Sequence, residues 1–267
     1  MKTVKQLMDL SGRVALITGG AGHIGSTIAE AFAELGANIA ILDQLESQCR
    51  ETCERLSKQY GVQTLSLPFD LTDEAAVRSV PERVVQKFGS LDILVHCAAL
   101  VGVSKLEGWA VSFPQQSADT WRKALEINLT SVFVLTQAAV PALKASGHGS
   151  VVMIGSLYAV VGPDMGLYEG TTLGNPAAYA ASKGGIVQLT RYLATVLAPE
   201  IRVNCISPGG VLRGHTDPFL SRYLKRTPLG RMATEEDLKG AAVYFGSDLS
   251  AYVTGVNLMV DGGWTAW

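Results

Sequence analysis

Two side chains four positions apart, Tyr179 and Lys183, form the pair in this sequence best suited to proton transfer. They lie near the start of Ala177–Leu197, where apolar residues recur at helical spacing, and positions i and i+4 of a helix share a face. The phenol and the ammonium can therefore address one site. A free tyrosine has a pKa of about 10, and a nearby lysine charge is expected to lower that pKa. Tyr179 is thus a candidate general acid and base.

A glycine-rich turn lies near the start of the chain. Gly20, Gly22 and Gly25 satisfy the pattern G-x-G-x-x-G, between the apolar run Arg13–Thr18 and the helical pattern Ile24–Leu35. Glycine here allows a tight turn and lets the backbone approach a pyrophosphate, which the free N–H groups of the following helix can bind. The pattern alone is weakly specific. Its position between a strand and a helix favours a dinucleotide site.

Asp43 indicates which dinucleotide the turn would hold. It follows the next apolar run, Asn38–Leu42, at the end of a predicted strand. A carboxylate at that position accepts hydrogen bonds from the hydroxyls of the adenosine ribose and repels a 2′-phosphate. No arginine adjoins Asp43, so the sequence favours NAD over NADP. The alternative is that Asp43 is a solvated helix cap.

The elements that must position these residues alternate between strands and helices. Continuously apolar strands are typical of parallel sheets that are covered on both faces, and strand–helix alternation gives right-handed crossovers. The sequence therefore predicts an α/β fold with a doubly wound parallel sheet (a Rossmann fold), as a single domain over residues 1–267. Further strands are predicted over Thr64–Leu67, Leu91–Val95, Ser150–Ile154, Ile201–Cys205 and Val256–Val260, and helices over Asp73–Phe88 and Trp121–Lys144.

Three long irregular stretches follow predicted strands. They are Leu100–Gln116, Gly155–Asn175 and Gly209–Arg231. Open α/β sheets bind ligands beyond the carboxyl ends of their strands, and long loops in compact domains are often functional. These loops are therefore expected to shape a ligand site.

Composition argues against several other classes of protein. The net charge is only −2, from 22 basic and 24 acidic residues, and the basic residues are scattered, so neither nucleic acid nor an anionic membrane is an expected partner. The four cysteines include no C-x-x-C, which favours reduced thiols over a disulfide framework or a metal site. No signal peptide is evident, and the apolar runs are strand-sized. A cytoplasmic enzyme acting on a small molecule is the expectation.

Further landmarks occur in an order typical of one family. They are the TGGAGHIG turn, Asp70–Asp73, LDILV leading to Ala98, Asn128 in EINLT, Ser156 after VVMIG, Tyr179 with Lys183, Pro208 in RVNCISPGG, and Tyr252–Gly255 leading to VDGGW. The sequence resembles the short-chain dehydrogenase/reductase family over essentially its whole length. The resemblance implies a nicotinamide-dependent oxidoreductase that interconverts a secondary alcohol and a ketone.

The resemblance also implies roles for individual residues. Tyr179 would transfer the proton, and Ser156 would hydrogen-bond the substrate oxygen. Lys183 would hold the nicotinamide ribose and, together with the oxidised nicotinamide, lower the pKa of Tyr179. Asn128 would anchor a water of a proton relay through its helix. The residues expected to contact the cofactor are Gly19, Gly22, His23, Ile24, Gly25, Asp43, Asp70, Leu71, Cys97, Ala98, Tyr179, Lys183, Pro208 and Val211.

Two motifs depart from the usual single-domain pattern of that family. His23 stands where the middle glycine of the turn is usual, and the segment His96–Ala99 reads HCAA rather than NNAG. Both variants resemble the extended members, many of which act on sugar nucleotides, although a chain of 267 residues is expected to lack their second domain. We expect His96 and Cys97 to be packing residues beneath the cofactor. Arg213 stands where a threonine is common, and it could contact a pyrophosphate or an anionic substrate.

The segment between Ser156 and Tyr179 is longer than the resemblance implies. The two residues are 23 positions apart, and the surplus lies around 163–175. Tyr168 has the usual spacing from Ser156, but Thr172 rather than lysine follows it four positions later, so Tyr179 remains the expected base. The polar insertion favours a hydroxyl-rich substrate. The alternative is an exposed or subunit-contacting loop.

These observations favour an NAD(H)-dependent oxidoreductase that acts on a secondary alcohol of a sugar, polyol, sugar acid or nucleotide sugar. Reduction of a 3-oxoacyl thioester carried by acyl carrier protein is the first alternative, and a non-catalytic nucleotide-sensing protein is the second. The resemblance further implies a homotetramer. The helices that carry Asn128 and Tyr179 would form one interface and the C-terminal strand another.

Overall fold

Seven strands form one parallel sheet in the computed structural model, which describes all residues from Met1 to Trp267. The strands are β1 (Val14–Thr18), β2 (Asn38–Asp43), β3 (Thr64–Pro68), β4 (Ile93–His96), β5 (Gly149–Ile154), β6 (Ile201–Pro208) and β7 (Asn257–Val260). Their order across the sheet is β3-β2-β1-β4-β5-β6-β7. The predicted parallel α/β sheet is confirmed, and β6 runs three residues beyond its predicted end, to Pro208.

Helices cover both faces of this sheet. They are α1 (Val4–Met8), α2 (His23–Glu34), α3 (Glu46–Tyr60), α4 (Glu74–Phe88), α5 (Ala118–Leu125), α6 (Ser131–Ala145), α7 (Ala177–Val196), α8 (Phe219–Arg226) and α9 (Lys239–Gly246). Two separate apolar clusters form the core. One lies between the sheet and α4, α6 and α7, and the other lies between the sheet and α2, α3 and α9. The sheet is therefore doubly wound, because each face buries its own set of apolar side chains.

The helix predicted over Trp121–Lys144 is longer and less regular than the sequence suggested. It runs from Ala118 to Ala145, with a π-helical segment, Glu126–Thr130, between α5 and α6. By length and composition alone it could cross a membrane. Its buried residues, such as Leu135 and Leu143, instead lie in the core against the sheet.

The strand order brings the predicted site residues to one edge. Strand β1 pairs with β2 on one side and β4 on the other, and Thr18 is in register with Leu42 and His96. The loops after β1, β2 and β4 therefore leave the sheet together. This is the switch point at which doubly wound sheets bind ligands.

Candidate active site

The turn after β1 requires glycine at two positions. Gly19 has a φ of +62°, and a Cβ on it would lie 2.7 Å from the backbone of Ala98. Gly25 lies in the first turn of α2, and a Cβ there would overlap the carbonyl oxygen of Gly19. The turn is closed by the Gly22 amide, which donates to that same carbonyl at 3.0 Å. The N-terminus of α2 consequently packs directly on the turn, with its free N–H groups at the sheet edge.

Thr18, which the sequence analysis did not single out, joins this turn to the loop after β4. Its buried hydroxyl accepts hydrogen bonds from the amides of Cys97 at 3.1 Å and Ala98 at 3.3 Å. The threonine immediately before the first glycine was the available signal. Its hydroxyl fixes how far apart the two loops stand.

A cavity of about 300 Å³ opens along these loops. Asp43 lies in it at the end of β2, where its carboxylate accepts from the amides of Gln44 at 2.8 Å and Ala21 at 3.3 Å. Asp43 does not cap α3, because the N-cap position belongs to Leu45. Ten of the predicted cofactor contacts line this cavity: Gly19, Gly22, His23, Ile24, Gly25, Asp43, Asp70, Leu71, Cys97 and Ala98.

A second, larger cavity of about 690 Å³ continues from the first. We call it the cleft, and it shares His23, Ile24, Cys97, Ala99, Val101 and Arg213 with the first cavity. Ser156, Tyr179 and Lys183 line the cleft together. The remaining predicted cofactor contacts, Pro208 and Val211, also line it. The fold thus brings residues from β1, β4, β5, α7 and β6 to one continuous space.

Lys183 is buried in the cleft without an acidic partner. Its ammonium donates to the carbonyl of Ile154 at 2.7 Å and lies 5.9 Å from the centre of the Tyr179 ring. Only 4% of the side chain is exposed, and burial lowers the pKa of Lys183. Any group that enters the cleft beside Lys183 therefore meets a poorly solvated cation.

The pKa of Tyr179 shifts in the direction opposite to the one expected. Burial raises the pKa of Tyr179 above its ordinary value, while the neighbouring Ser156 hydroxyl and the Arg213 charge oppose that rise. Loss of solvation of the phenolate therefore outweighs the charges near Tyr179. In this structure Tyr179 is therefore a protonated, neutral phenol at neutral pH.

Ser156 and Asn128 occupy different positions relative to the cleft. Ser156 follows β5 and Gly155, and its Oγ accepts from the amide of Tyr158 at 3.2 Å. Asn128 lies in the π-helical segment and is 1% exposed. Its carboxamide accepts from the Leu100 amide at 2.7 Å and donates to the Leu100 carbonyl and to Ser182. The Asn128 side chain thus braces the loop after β4 and does not line the cleft.

His96 and Cys97 differ although they adjoin in sequence. The His96 ring is buried at the end of β4 and hydrogen-bonds Thr136 at 2.8 Å, and burial lowers its pKa to about 3. His96 is therefore a neutral packing residue. Cys97 borders both the first cavity and the cleft, and burial raises the pKa of its thiol to about 11. Neither side chain supplies a charge at neutral pH.

The insertion around 163–175 forms one wall of the cleft. It is tied to α8 by an ion pair between Asp164 and Arg226 at 2.7 Å, and by a hydrogen bond from Arg222 to the carbonyl of Glu169 at 2.6 Å. Tyr168 and Asn175 line the cleft, whereas other side chains of the insertion face solvent. The insertion is therefore packed against α8 and partly buried, and a contact with another subunit stays a prediction.

Comparison with known proteins agrees with this geometry. A family model described as enoyl-(acyl carrier protein) reductase matches residues 19–265, nearly the whole chain. The chain belongs to the short-chain dehydrogenase/reductase family. Within that family it is 36% identical to trans-4-hydroxycyclohexanecarboxylate dehydrogenase of Sinomonas cyclohexanicum, over 95% of this chain and 93% of that protein.

Solved structures of other short-chain dehydrogenases match over almost the full length. A gluconate 5-dehydrogenase from Burkholderia cenocepacia, in complex with NADP and tartrate, has a TM-score of 0.88 at 30% identity, covering 99% of this chain and 100% of that one. A short-chain dehydrogenase from Leptospira borgpetersenii with bound NAD⁺ has a TM-score of 0.83 at 31% identity, covering 99% and 96%. This short-chain dehydrogenase is accordingly an oxidoreductase that acts on CH–OH groups with a nicotinamide cofactor.

The cleft of this short-chain dehydrogenase is also lined by residues that the sequence analysis missed. An aromatic wall is built by Phe219, whose ring lies 5.2 Å from that of His215, 5.8 Å from that of Tyr223 and 5.5 Å from that of Tyr168. Tyr158 adds its hydroxyl, which lies 2.7 Å from that of Tyr168. The available signals were the lengths of the loops 155–175 and 209–231, since nothing in the sequence of either loop pairs it with the other.

Proposed function

We propose that this enzyme interconverts a secondary alcohol and a ketone using NAD(H), with Tyr179 as the general acid and base. The observation that carries the proposal is the meeting of Tyr179, Lys183 and Ser156 in a cleft continuous with the cavity above the glycine turn. A proton-transferring group must lie within reach of both substrate and cofactor. The shared cavity provides that proximity.

The residues of the first cavity fit a dinucleotide. A Cβ at Gly19 would press on the Ala98 backbone and one at Gly25 would overlap the Gly19 carbonyl, so both glycines let the loops and the α2 N-terminus pack closely around the position of a pyrophosphate. Asp43, Asp70 and Leu71 would hold the adenosine end, while Lys183 would hold the nicotinamide ribose at the other end of the continuous space. When bound, the nicotinamide supplies the hydride acceptor for oxidation and the hydride donor for reduction.

Side chains of the protein transfer the proton of the substrate hydroxyl. In alcohol oxidation the Tyr179 phenolate accepts the hydroxyl proton, and in ketone reduction the phenol donates a proton to the forming alkoxide oxygen. The Ser156 hydroxyl donates a hydrogen bond to that same oxygen and stabilises its negative charge. The buried Lys183 ammonium has no carboxylate beside it, so its positive charge stabilises the Tyr179 phenolate whenever that form is present. We retain Asn128 as a positioning residue, with any proton relay passing through the backbone of the π-helical segment.

The rate of alcohol oxidation is expected to rise with pH. Because the pKa of Tyr179 is raised, the reactive phenolate is the minor form below the ordinary tyrosine pKa of about 10, and its fraction grows up to tenfold per pH unit. Ketone reduction uses the protonated phenol and should change little over the same range. Initial rates in both directions from about pH 6 to about pH 9 check this. A flat oxidation profile would mean that the base is already ionised.

We propose NAD rather than NADP because Asp43 stands at the adenosine end of the cavity. Its carboxylate is held by two backbone amides and keeps lone pairs for ribose hydroxyls. Arg213 lines the cavity, and its guanidinium is paired with Glu235 at 2.9 Å. A 2′-phosphate beside Asp43 would therefore meet a negative charge.

Replacing Asp43 with asparagine should shift the cofactor preference. We expect kcat/KM for NAD to fall about 10- to 100-fold, because a hydrogen bond to a charged group contributes roughly 1.5–3 kcal/mol. Use of NADP should improve as the repulsion disappears. Steady-state kinetics with both cofactors measure this. Glu46→Gln, which removes an exposed carboxylate at the start of α3, is the control. An unchanged preference in Asp43→Asn would refute the assignment.

We propose a hydroxyl-rich substrate, such as a polyol, sugar or sugar acid. The cleft presents phenol, amide and imidazole groups on Tyr158, Tyr168, Asn175 and His215. The relatives named above act, by their names, on a hydroxylated ring carboxylate and on gluconate. Aromatic rings such as Phe219 suit the C–H faces of such molecules while the polar groups bind their hydroxyls.

A 3-oxoacyl thioester is the main alternative substrate. A reductase of 3-oxoacyl-acyl carrier protein from Escherichia coli is 31% identical to this chain, over 96% of it and 98% of that protein. An acyl chain would leave the Asn175 carboxamide of the cleft unpaired, which disfavours it. Assay of purified enzyme against polyols, sugar acids, nucleotide sugars and an acetoacetyl thioester decides the matter. Turnover of the thioester alone would overturn the proposed substrate class.

We also propose that the enzyme self-associates, as the sequence analysis expected of a homotetramer. Large apolar side chains are exposed along α5, α6 and α7, including Trp121, Phe133 and Val196. Apolar groups of this size on neighbouring helices favour burial between subunits.

A further inference from the structure

The carboxamide of Asn175 is the polar group of the cleft that the fold leaves without a partner. Both its Nδ2 and its Oδ1 are buried, and neither makes a hydrogen bond. Asn175 lines the cleft together with Tyr179 and Lys183, and it precedes Tyr179 by four residues. Buried polar groups in folded proteins are nearly always hydrogen-bonded, so an unpaired one at a binding cavity indicates a missing ligand.

The backbone around Asn175 is held by a second loop. The Ala177 amide donates to Oε1 of Gln116 at 3.0 Å. Gly174 packs so closely on the loop after β4 that a Cβ on Gly102 would lie 2.8 Å from the Gly174 carbonyl oxygen. These contacts fix the segment on both sides of Asn175. The backbone of Asn175 is therefore rigidly held at the wall of the cleft, which reduces the entropy lost on binding a ligand.

Four other polar side chains that line the cleft already have hydrogen-bond partners. The hydroxyls of Tyr158 and Tyr168 hydrogen-bond each other. The Tyr223 hydroxyl accepts from the Gly210 amide, and Nδ1 of His215 accepts from the backbone of Arg213. Asn175 alone offers a donor and an acceptor that are both unused.

The chemistry of a carboxamide narrows the choice of ligand group. Its NH₂ carries two donors and its oxygen accepts, so a hydroxyl, which both accepts and donates, can pair with the nitrogen and with the oxygen. A carboxylate only accepts and would leave Oδ1 unpaired, and an acyl chain would leave both atoms unpaired. The nitrogen and the oxygen of the Asn175 carboxamide are therefore better matched to an alcohol than to a carboxylate or an acyl chain.

We propose that Asn175 is a specificity-determining residue that binds a second hydroxyl of the substrate, distinct from the hydroxyl that is oxidised. This inference rests on the proposed function, because it assigns the cleft to an alcohol substrate. It predicts that the enzyme selects diols and polyols over alcohols with a single hydroxyl. The preference for diols would then be a property of the insertion 163–175, because Asn175 is its last residue.

A matched pair of alcohols tests the proposal. The probes are cis-1,2-cyclohexanediol and cyclohexanol, which differ by one hydroxyl. In Asn175→Ala, kcat/KM for the diol should fall about tenfold, as expected for the loss of one hydrogen bond, while kcat/KM for cyclohexanol should stay within about twofold. The melting temperature should not fall, because no internal hydrogen bond is lost. Thr172→Ala, at an exposed position of the same insertion, is the control.

Binding without turnover separates this inference from the proposed reaction. Calorimetric titration of the NADH-loaded protein with the diol should give an affinity about tenfold higher for the wild type than for Asn175→Ala. Equal affinities, no diol binding by the wild type, or equal losses of kcat/KM for both alcohols would overturn the role of Asn175. A wild type that binds the diol through Asn175 but oxidises no alcohol would refute the proposed function alone.

Discussion

Tyr179→Phe is expected to lower kcat/KM for alcohol oxidation about a thousandfold, within the 10²- to 10⁴-fold range typical of general acid–base catalysis. The substitution removes only the phenolic oxygen and keeps the ring that packs in the cleft beside Lys183. Binding of NAD should stay within about twofold, because the hydroxyl is not needed to fill the cavity. Steady-state kinetics and calorimetric titration with NAD measure the two quantities.

The control for this variant lies on the same helix. Tyr192 is on α7 and 60% exposed, so Tyr192→Phe removes an equivalent hydroxyl far from the cleft. We expect it to retain wild-type rates and stability. Tyr179→Phe with more than about a tenth of wild-type activity would contradict the assignment of Tyr179 as the proton-transferring group.

Gly25→Ala is expected to abolish useful NAD binding, with an affinity loss of at least about a hundredfold. The added Cβ would overlap the Gly19 carbonyl oxygen, so α2 must move away from the turn. Overpacking of a well-packed site typically costs about 1–3 kcal/mol of stability, and the displaced helix N-terminus no longer faces the pyrophosphate position. Calorimetric titration with NAD and thermal unfolding measure both effects.

Two further glycines make this test decisive even if Gly25→Ala fails to fold. At Gly22 a Cβ would lie 3.2 Å from the Gly19 oxygen, and its φ of −78° suits any residue. Gly22→Ala should therefore fold and bind NAD more weakly than the wild type. At Gly240, on α9, a Cβ would meet nothing within 4 Å, so Gly240→Ala should be neutral. NAD affinity unchanged in both Gly22→Ala and Gly25→Ala would refute the assignment of this turn to the cofactor.

Much of the fold could be read from local patterns. The run Val14–Thr18 is buried at every position, and such strands signal a parallel sheet before any contact is known. Helix ends were predictable where a capping residue marks them, as Asp73 does by accepting from the Ala76 amide at the start of α4. The π-helical segment at Asn128 was not predictable, because its apolar spacing resembles that of an ordinary helix.

Some residues of the candidate site were likewise predictable from local sequence, and others were not. Gly25, Asp43, Ser156 and Tyr179 were found because each belongs to a short segment whose neighbours in sequence set its place at a strand end or on a helix. Tyr158, His215 and Phe219 were missed because they reach the cleft through contacts between the insertion and α8, such as the pair Asp164–Arg226. Those contacts join positions far apart in the chain, and no local pattern encodes them.

The sequence by itself determined the Tyr179/Lys183 pair, the glycine turn, the α/β class and the family, since all of these depend on residue types at short spacing. The tertiary structure decided the environment of those residues. Burial raises the pKa of Tyr179 although a lysine stands four residues away, because solvation depends on everything packed around the phenol. The same packing turns the insertion into a wall of the cleft and leaves Asn175 unpaired there.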